Sequence, residues 1–202
     1  MTLSQNRSPL LEIAVTLLVP SLILMQLSKP EQLGTAGALV LALAFPIGWG
    51  VRELLRSRKF SLFAGLGIVS LLLTGGIGLL ELDTRWLAVK EAAIPGVLGL
   101  IVAASALTRA PLVRVLLYNP MLLDTAKIDA ALALRGNLPE FQARLRGATW
   151  MLAGSFAFSS IMNYVLATWI VTSPAGSAAF NEELGRLTLL SYPMIALPAT
   201  LI

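Results

Sequence analysis

Two adjacent charged residues offer the clearest chemistry in this sequence. Lys90 and Glu91 precede Pro95 within a largely apolar stretch. An ammonium and a carboxylate beside a proline-interrupted helix can line a polar cavity inside a membrane. The same pair could instead belong to a charged belt at the membrane surface, with Trp86 as an aromatic anchor. Neighbouring residues of a helix point in different directions, so the sequence does not predict that Lys90 and Glu91 bind each other.

Two further polar side chains, Asn163 and Glu12, also lie within apolar stretches. Asn163 follows Ser155 and Ser159 at intervals of four residues, which puts all three on one helix face. This stripe favours helix packing, with Asn163 as an interhelical hydrogen-bonding group, and the alternative is the lining of a polar path. Glu12 would fall in the first turns of a helix that begins near Ser8. There the helix dipole favours a negative charge, so a structural role is favoured over a transport role.

The residue types present exclude the common catalytic and metal sites. The chain has no histidine and no cysteine, which removes the usual zinc ligands and the Ser-His-Asp and Cys-His arrangements. Glu182 and Glu183 are adjacent, as in intramembrane CAAX-type proteases, but those enzymes also need histidines. No S-x-x-K or G-x-S-x-G motif is present either. We therefore expect a protein that is not an enzyme and that binds no cofactor or metal.

The elements that must position the candidate residues are apolar helices. Hydrophobic residues make up 56% of the chain and charged residues only 13%, about half of the roughly 25% typical of soluble domains. The apolar residues come in blocks near the 20 or so residues that cross a bilayer. We predict an all-α bundle, a single integral membrane domain over residues 1–202. Its six or so transmembrane helices would cover residues 10–27, 34–51, 61–80, 92–108, 150–171 and 187–202.

The distribution of basic residues predicts the orientation of these spans. With the N-terminus inside, the inner segments hold 11 of the 15 lysines and arginines. Such an excess marks the cytoplasmic side, so both termini are expected in the cytoplasm. The net charge of +4 then reflects membrane orientation. No basic stripe with interleaved aromatic residues accompanies it, and we expect no nucleic-acid partner.

The cytoplasmic connector at residues 109–149 is too long for a bare loop. Pro111 could start one short helix, and Asp124 is a candidate N-cap for another that ends near Gly136. We predict surface helices between the fourth and fifth spans, with basic side chains close to anionic lipid headgroups. A docking platform for another protein is the alternative.

Several motifs together suggest a family. They are Leu-Thr-Gly-Gly-Ile-Gly-Leu-Leu-Glu-Leu at 73–82, Trp-Leu-Ala-Val-Lys-Glu-Ala-Ala-Ile-Pro at 86–95, Pro-Leu-Val-Arg at 111–114, and Asn163 followed by Ser-Pro-Ala-Gly at 173–176 and Phe-Asn-Glu-Glu-Leu-Gly-Arg at 180–186. The combination resembles a bacterial family distantly similar to intracellular septation protein A, some members of which are loosely labelled transporters. The resemblance implies a multi-pass protein of the bacterial inner membrane, with a link to the cell envelope. It also implies a final helix that continues beyond Ile202.

Two functions are compatible with these observations. In the first, the chain has a non-catalytic role in cell-envelope maintenance or membrane-complex assembly, and its polar groups hold helices together. In the second, it transports a small molecule or an ion through a polar site between two three-helix halves. The site would be built from Lys90, Glu91, Asn163 and Glu12, with helix breaks near Pro95 and Pro193. The sequence slightly favours the first, because no charge falls clearly at the bilayer midplane. The chain could dimerise through small-residue faces or bind a membrane partner.

Overall fold

A computed structural model describes residues 13–57, 62–108, 110–118, 123–199 and 201. Within these ranges the regular structure is entirely helical. The helices are α1 (Val19–Gln26, preceded by a π-helical turn at Ala14–Leu18), α2 (Gly34–Ser57), α3 (Leu62–Leu79), α4 (Arg85–Ala106), α5 (Leu112–Leu117), α6 (Thr125–Leu134), α7 (Leu138–Ile170), α8 (Ala178–Ser191) and α9 (Leu197–Ala199), with a second π-helical turn at Tyr192–Ala196 joining the last two.

Three of these helices are long and apolar enough to cross a membrane, namely Gly34–Arg52 within α2, α4 and α7. Shorter apolar helices cover Ala14–Gln26 and Gly65–Leu79. The predicted all-α class is therefore confirmed, and the lengths and composition of the three helices are those of a membrane protein.

The helix boundaries differ from those predicted by hydropathy. The fourth span was predicted to begin at residue 92, but α4 begins at Arg85, whose backbone N–H donates to Asp83 Oδ1 at 2.8 Å. Helix α7 begins at Leu138 and α8 at Ala178, each about ten residues before the predicted span. Backbone hydrogen bonding continues through polar residues, so hydropathy locates the apolar part of a helix and misses its polar first turns.

The connector contains two short helices, as predicted. Helix α5 follows Pro111, and the Asp124 side chain accepts a hydrogen bond from the backbone N–H of Lys127 at 3.1 Å, which caps α6. Gly136, with a φ of +68°, follows α6. The Tyr118 hydroxyl lies 2.6 Å from Asp129 Oδ1, so it ties the end of α5 to α6.

The most extensive helix pair is α4 with α7, and small residues allow it. A methyl group added at Gly99 would lie 3.0 Å from the Phe156 Cβ atom. Ser160 Oγ donates across the interface to the Ala92 carbonyl at 2.8 Å. Small residues and interhelical hydrogen bonds stabilise such pairs in apolar surroundings, where burial of apolar surface adds little.

One end of the bundle is tightly packed. We call it the closed end, defined by the turns at residues 27–33, 80–84 and 171–177. Phe180 there is fully buried, and its ring packs near Gly78 beside Leu39. Asn181 Nδ2 donates to Ser28 Oγ at 3.0 Å and to the Thr35 carbonyl at 2.8 Å. Helix α8 is thereby tied to the connection between α1 and α2.

Helices α1 and α8 approach closely near the closed end. A methyl group at Gly185 would lie 2.8 Å from the Ser21 carbonyl oxygen, which is a backbone atom and cannot swing away. Glycine at this position therefore sets the distance between the two helix backbones. The core of the bundle extends from this contact through Leu24, Leu87 and Leu166, all at most 5% exposed.

Candidate functional site

A polar cavity of about 250 Å³ lies among the helices, below the closed end. Each of the six helical segments that correspond to the predicted spans contributes at least one lining residue. They are Thr16, Pro20, Ser21, Leu24, Ala42, Leu43, Pro46, Ser70, Leu71, Thr74, Lys90, Glu91, Asn163, Leu184, Leu187, Thr188 and Ser191. The volume accommodates several water molecules, each of which occupies about 30 Å³ in the liquid, or a small solute.

Lys90 is buried in the wall of this cavity, with 8% of its side chain exposed. Its Nζ atom lies 2.6 Å from Glu91 Oε1, 2.8 Å from Thr74 Oγ1 and 3.2 Å from Ser70 Oγ. An ammonium group has three N–H donors, and three oxygens surround this one. The lysine therefore ties α4 to α3 and holds the neighbouring carboxylate.

The Lys90–Glu91 contact corrects the expectation that these side chains point apart. The lysine stem has four rotatable methylene groups, which allow its ammonium to reach sideways to the adjacent carboxylate. Both residues lie inside helix α4 and not before it. The interpretation of a charged surface belt does not hold for Lys90, because its ammonium is buried.

Glu91 is more exposed than its partner, at 28% of the side chain. Lys90 engages its Oε1 atom, and a carboxylate has about four lone-pair positions for hydrogen bonds. Glu91 lines the 250 Å³ cavity and also a second, more open cavity of about 490 Å³. The free acceptor positions of this carboxylate therefore belong to the cavities.

Asn163 also lines both cavities, but it does not make the predicted interhelical hydrogen bond. Its Nδ2 atom donates to the Ser159 carbonyl of its own helix at 2.8 Å. Two serines make the interhelical bonds instead: Ser160 reaches α4, and Ser155 Oγ donates to the Ala199 carbonyl at 2.6 Å. The amide oxygen of Asn163 is left for the cavity.

The structure thus brings Lys90, Glu91 and Asn163 together at one cavity. The fourth candidate, Glu12, lies outside the described residues. Sequence reasoning missed Ser70 and Thr74, which hold Lys90, and Thr188 and Ser191, which line the cavity from α8. Hydroxyl residues in an apolar helix are too common to single these out. The interval of four between Ser70 and Thr74, on the span before Lys90, was the available signal.

Prolines surround the cavities without breaking their helices. Pro46 and Pro95 lie inside α2 and α4, and the predicted break of α4 at Pro95 does not occur. A proline has no N–H, so the carbonyl four residues earlier loses its usual helical hydrogen bond. Those carbonyls belong to Ala42 and Glu91, two residues that line the smaller cavity. At the other predicted break, Pro193 lies in the π-helical turn Tyr192–Ala196.

The larger cavity extends away from the closed end. Its lining follows α4 from Glu91 to Pro95 and Leu98, and the last helical segment from Thr188 to Ala196. The two cavities share Glu91, Asn163, Thr188 and Ser191. Together they form an interior space, lined by both polar and apolar side chains, that narrows towards the closed end and widens towards the end that carries the connector.

No family model, curated protein or solved structure matches this chain. The likeness to septation protein A therefore stays a prediction from short motifs.

Proposed function

We propose that this protein transports a small polar solute or ion across the membrane through the cavity at Lys90, Glu91 and Asn163. The observation that carries the proposal is the meeting of all six helical segments at one polar cavity with a buried ion pair in its wall. Transport sites are commonly built where helices from both halves of a bundle converge, near proline-interrupted segments.

The envelope-assembly role explains this cavity less well. A protein that only holds helices or partners together gains from filled interiors, because an unfilled space loses packing contacts. This chain packs closely elsewhere, at the Gly185 contact between α1 and α8. Burying an ion pair costs desolvation free energy, and this cost is more easily explained where the pair helps to bind a ligand.

The proposal includes the topology predicted from the basic residues. Six spans in a bacterial inner membrane, with both termini cytoplasmic, put the closed end outside and the connector inside. The larger cavity then faces the cytoplasm, as in a transporter open to the inside. Reporter fusions at residues 84, 130 and 178 test this topology, and an outside signal at residue 130 contradicts it.

The connector supports the same orientation through its charge. Lys127, Arg135, Arg144 and Arg146 lie on or between α6 and the first part of α7. Basic side chains near the cytoplasmic leaflet are attracted to anionic headgroups by about 1 kcal/mol each. We propose that these residues contact the lipid surface.

Cysteine accessibility tests the transport proposal directly. The natural chain has no cysteine, so Ser191→Cys gives a single thiol at the wall shared by both cavities. The reagent is a charged, membrane-impermeant methanethiosulfonate, which reacts with the ionised thiol in water. We expect labelling in inside-out vesicles and slower labelling in intact cells, because the closed end must open during a transport cycle.

Leu190→Cys is the matched control. Leu190 is the adjacent residue, is 42% exposed on the bundle surface and lines neither cavity. We expect its thiol, facing lipid, to resist the reagent on both sides. If Ser191→Cys stays unlabelled from both sides but reacts fully after denaturation, no water reaches the cavity and the transport proposal is wrong.

A further inference from the structure

Several hydroxyl groups around the cavity share one orientation. Each donates its single proton to the carbonyl four residues earlier in its own helix: Thr188 Oγ1 to Leu184 at 2.9 Å, and Ser191 Oγ to Leu187 at 2.7 Å. Ser21 Oγ does the same with Leu17 at 2.8 Å. A hydroxyl has one proton and two lone pairs, so a donated proton leaves lone pairs for any other contact.

Two nitrogen donors of the wall are at least partly engaged. The Lys90 ammonium faces three oxygens of the protein, and Asn163 Nδ2 donates one of its two N–H groups to the Ser159 carbonyl. The groups left for a ligand include a set of oxygen acceptors. These are the Glu91 carboxylate, the Asn163 amide oxygen and the hydroxyl oxygens of Thr188 and Ser191.

These four residues are the ones that both cavities share. Lys90 lines the smaller cavity but not the larger one, so its positive charge lies to one side of the shared wall. The carboxylate, which is more exposed than the ammonium, is therefore the charged group that lines both cavities where they meet. Oxygen ligands with one carboxylate suit a hard cation or a protonated amine.

We propose that the junction of the two cavities binds a compact monovalent cation, held by Glu91, Asn163, Thr188 and Ser191. This inference rests on the proposed transport function and specifies the charge of the ligand. Lys90 acts as a positioning residue, which holds the carboxylate beside the junction. An anionic solute at this junction would be repelled by the Glu91 carboxylate.

Ligand-dependent thermal stability of the purified full chain tests the proposal. Sodium, potassium or methylammonium chloride replaces N-methylglucamine chloride at constant ionic strength, and a second series changes the anion with the bulky cation held constant. We expect at least one compact cation to raise the unfolding midpoint by about 2–4 °C or more, since a ligand that binds the folded state stabilises it. The separate sodium, potassium and methylammonium arms distinguish a metal cation from an amine.

Glu91→Gln should abolish the cation effect, and Glu183→Gln should retain it, because Glu183 lies at the closed end and binds a turn. If Glu91→Gln does not fold, Thr188→Val removes one oxygen without changing charge and should weaken the apparent affinity for the cation at least threefold.

Stabilisation by anions, or by none of the three cations, overturns the proposal. Since Ser191→Cys labelling is independent of ligand charge, a labelled cavity without cation binding would reject this inference and keep the transport function.

Discussion

The closed end and the cavity use similar polar residues in opposite ways. At the closed end, Asn181 donates to two groups on other segments, and the Glu183 carboxylate accepts four hydrogen bonds from Thr172 and Ser173. At the cavity, Asn163 donates within its own helix, and Glu91 binds one partner and lines both cavities. A buried polar group whose hydrogen bonds are satisfied locks a structure, whereas one with free acceptors can receive a ligand.

This contrast separates packing from function within one apolar bundle. The closed end buries Phe180 and fills the space around it, while the cavity leaves space beside its charges. If the protein alternates between inward and outward access, the closed end is the part that must open. Its hydrogen bonds would then set how often it does so.

Phe180→Ala should have the largest effect, because it removes a fully buried ring from the closed end. We expect a loss of about 3 kcal/mol in the free energy of unfolding, at the low end of the range for such truncations. The unfolded reference also keeps the ring in lipid, which lowers the cost. Denaturant titration in detergent measures the loss, and labelling of Ser191→Cys from outside should become faster.

Trp169→Ala is the control for Phe180→Ala, since Trp169 is 73% exposed on the bundle surface. It should change stability by less than about 0.5 kcal/mol. Equal losses in the free energy of unfolding for the two substitutions would mean that packing at the closed end stabilises the protein no more than contacts on the bundle surface do.

Lys90→Met should cost about 2 kcal/mol, because it leaves the Glu91 carboxylate without its partner in an apolar bundle. The penalty stays below that of a fully buried pair, since part of Glu91 faces the cavity. The double variant Lys90→Met with Glu91→Gln should recover most of the stability and none of the cation binding. A double-mutant cycle measures the coupling, and a coupling near zero would contradict the ion pair.

The two asparagines provide a matched test of the contrast. Asn181→Ala should cost about 1 kcal/mol, because it breaks two hydrogen bonds between segments and leaves the Thr35 carbonyl without that donor. Asn163→Ala should cost less, since the carbonyl that it binds belongs to its own helix, but it should weaken cation binding. Chemical unfolding of both variants measures the two losses in the free energy of unfolding. A larger loss for Asn163→Ala would contradict our assignment of a packing role to Asn181 and a binding role to Asn163.

Glu183 should give the smallest effect, visible as a dependence on pH. It lies in the polar start of α8, before the predicted sixth span. Burial alone would raise its pKa, but hydrogen bonds from Ser173 and Thr172 outweigh it and lower the pKa from the usual 4.5. A lowered folded-state pKa means that stability is present above pH 4.5 and is lost as the pH falls through the lower, folded value.

We expect this contribution to be below about 1 kcal/mol, because solvent screens the carboxylate. Unfolding curves of the natural protein and Glu183→Gln should converge below the folded pKa and separate above pH 4.5. If the two proteins differ in stability by the same amount at every pH, the hydrogen bonds to the turn do not depend on the charge of Glu183.

Much of the site was visible in the sequence because a charge inside an apolar stretch is rare and costly. That reasoning identified Lys90 and Glu91, whereas Asn163 was identified by its four-residue spacing from Ser155 and Ser159. It did not identify Thr74, Ser70, Thr188 or Ser191, since a hydroxyl can satisfy itself on its own helix and therefore carries little information. The predicted interhelical role of Asn163 was wrong because a neighbouring serine, Ser160, faces α4 instead.

The sequence alone determined the all-helical class and the apolar character of the helices, because composition and block length follow directly from the solvent that a chain must face. It also located the connector helices through Pro111, Asp124 and Gly136, whose backbone preferences are local. Only the tertiary structure decided that Lys90 turns to Glu91 and is held by α3, that six segments meet at one cavity, and that the opposite end is closed by Phe180 and Asn181. These features depend on contacts between residues up to 153 positions apart, and no local preference encodes which distant side chain will fill, or leave open, a given space.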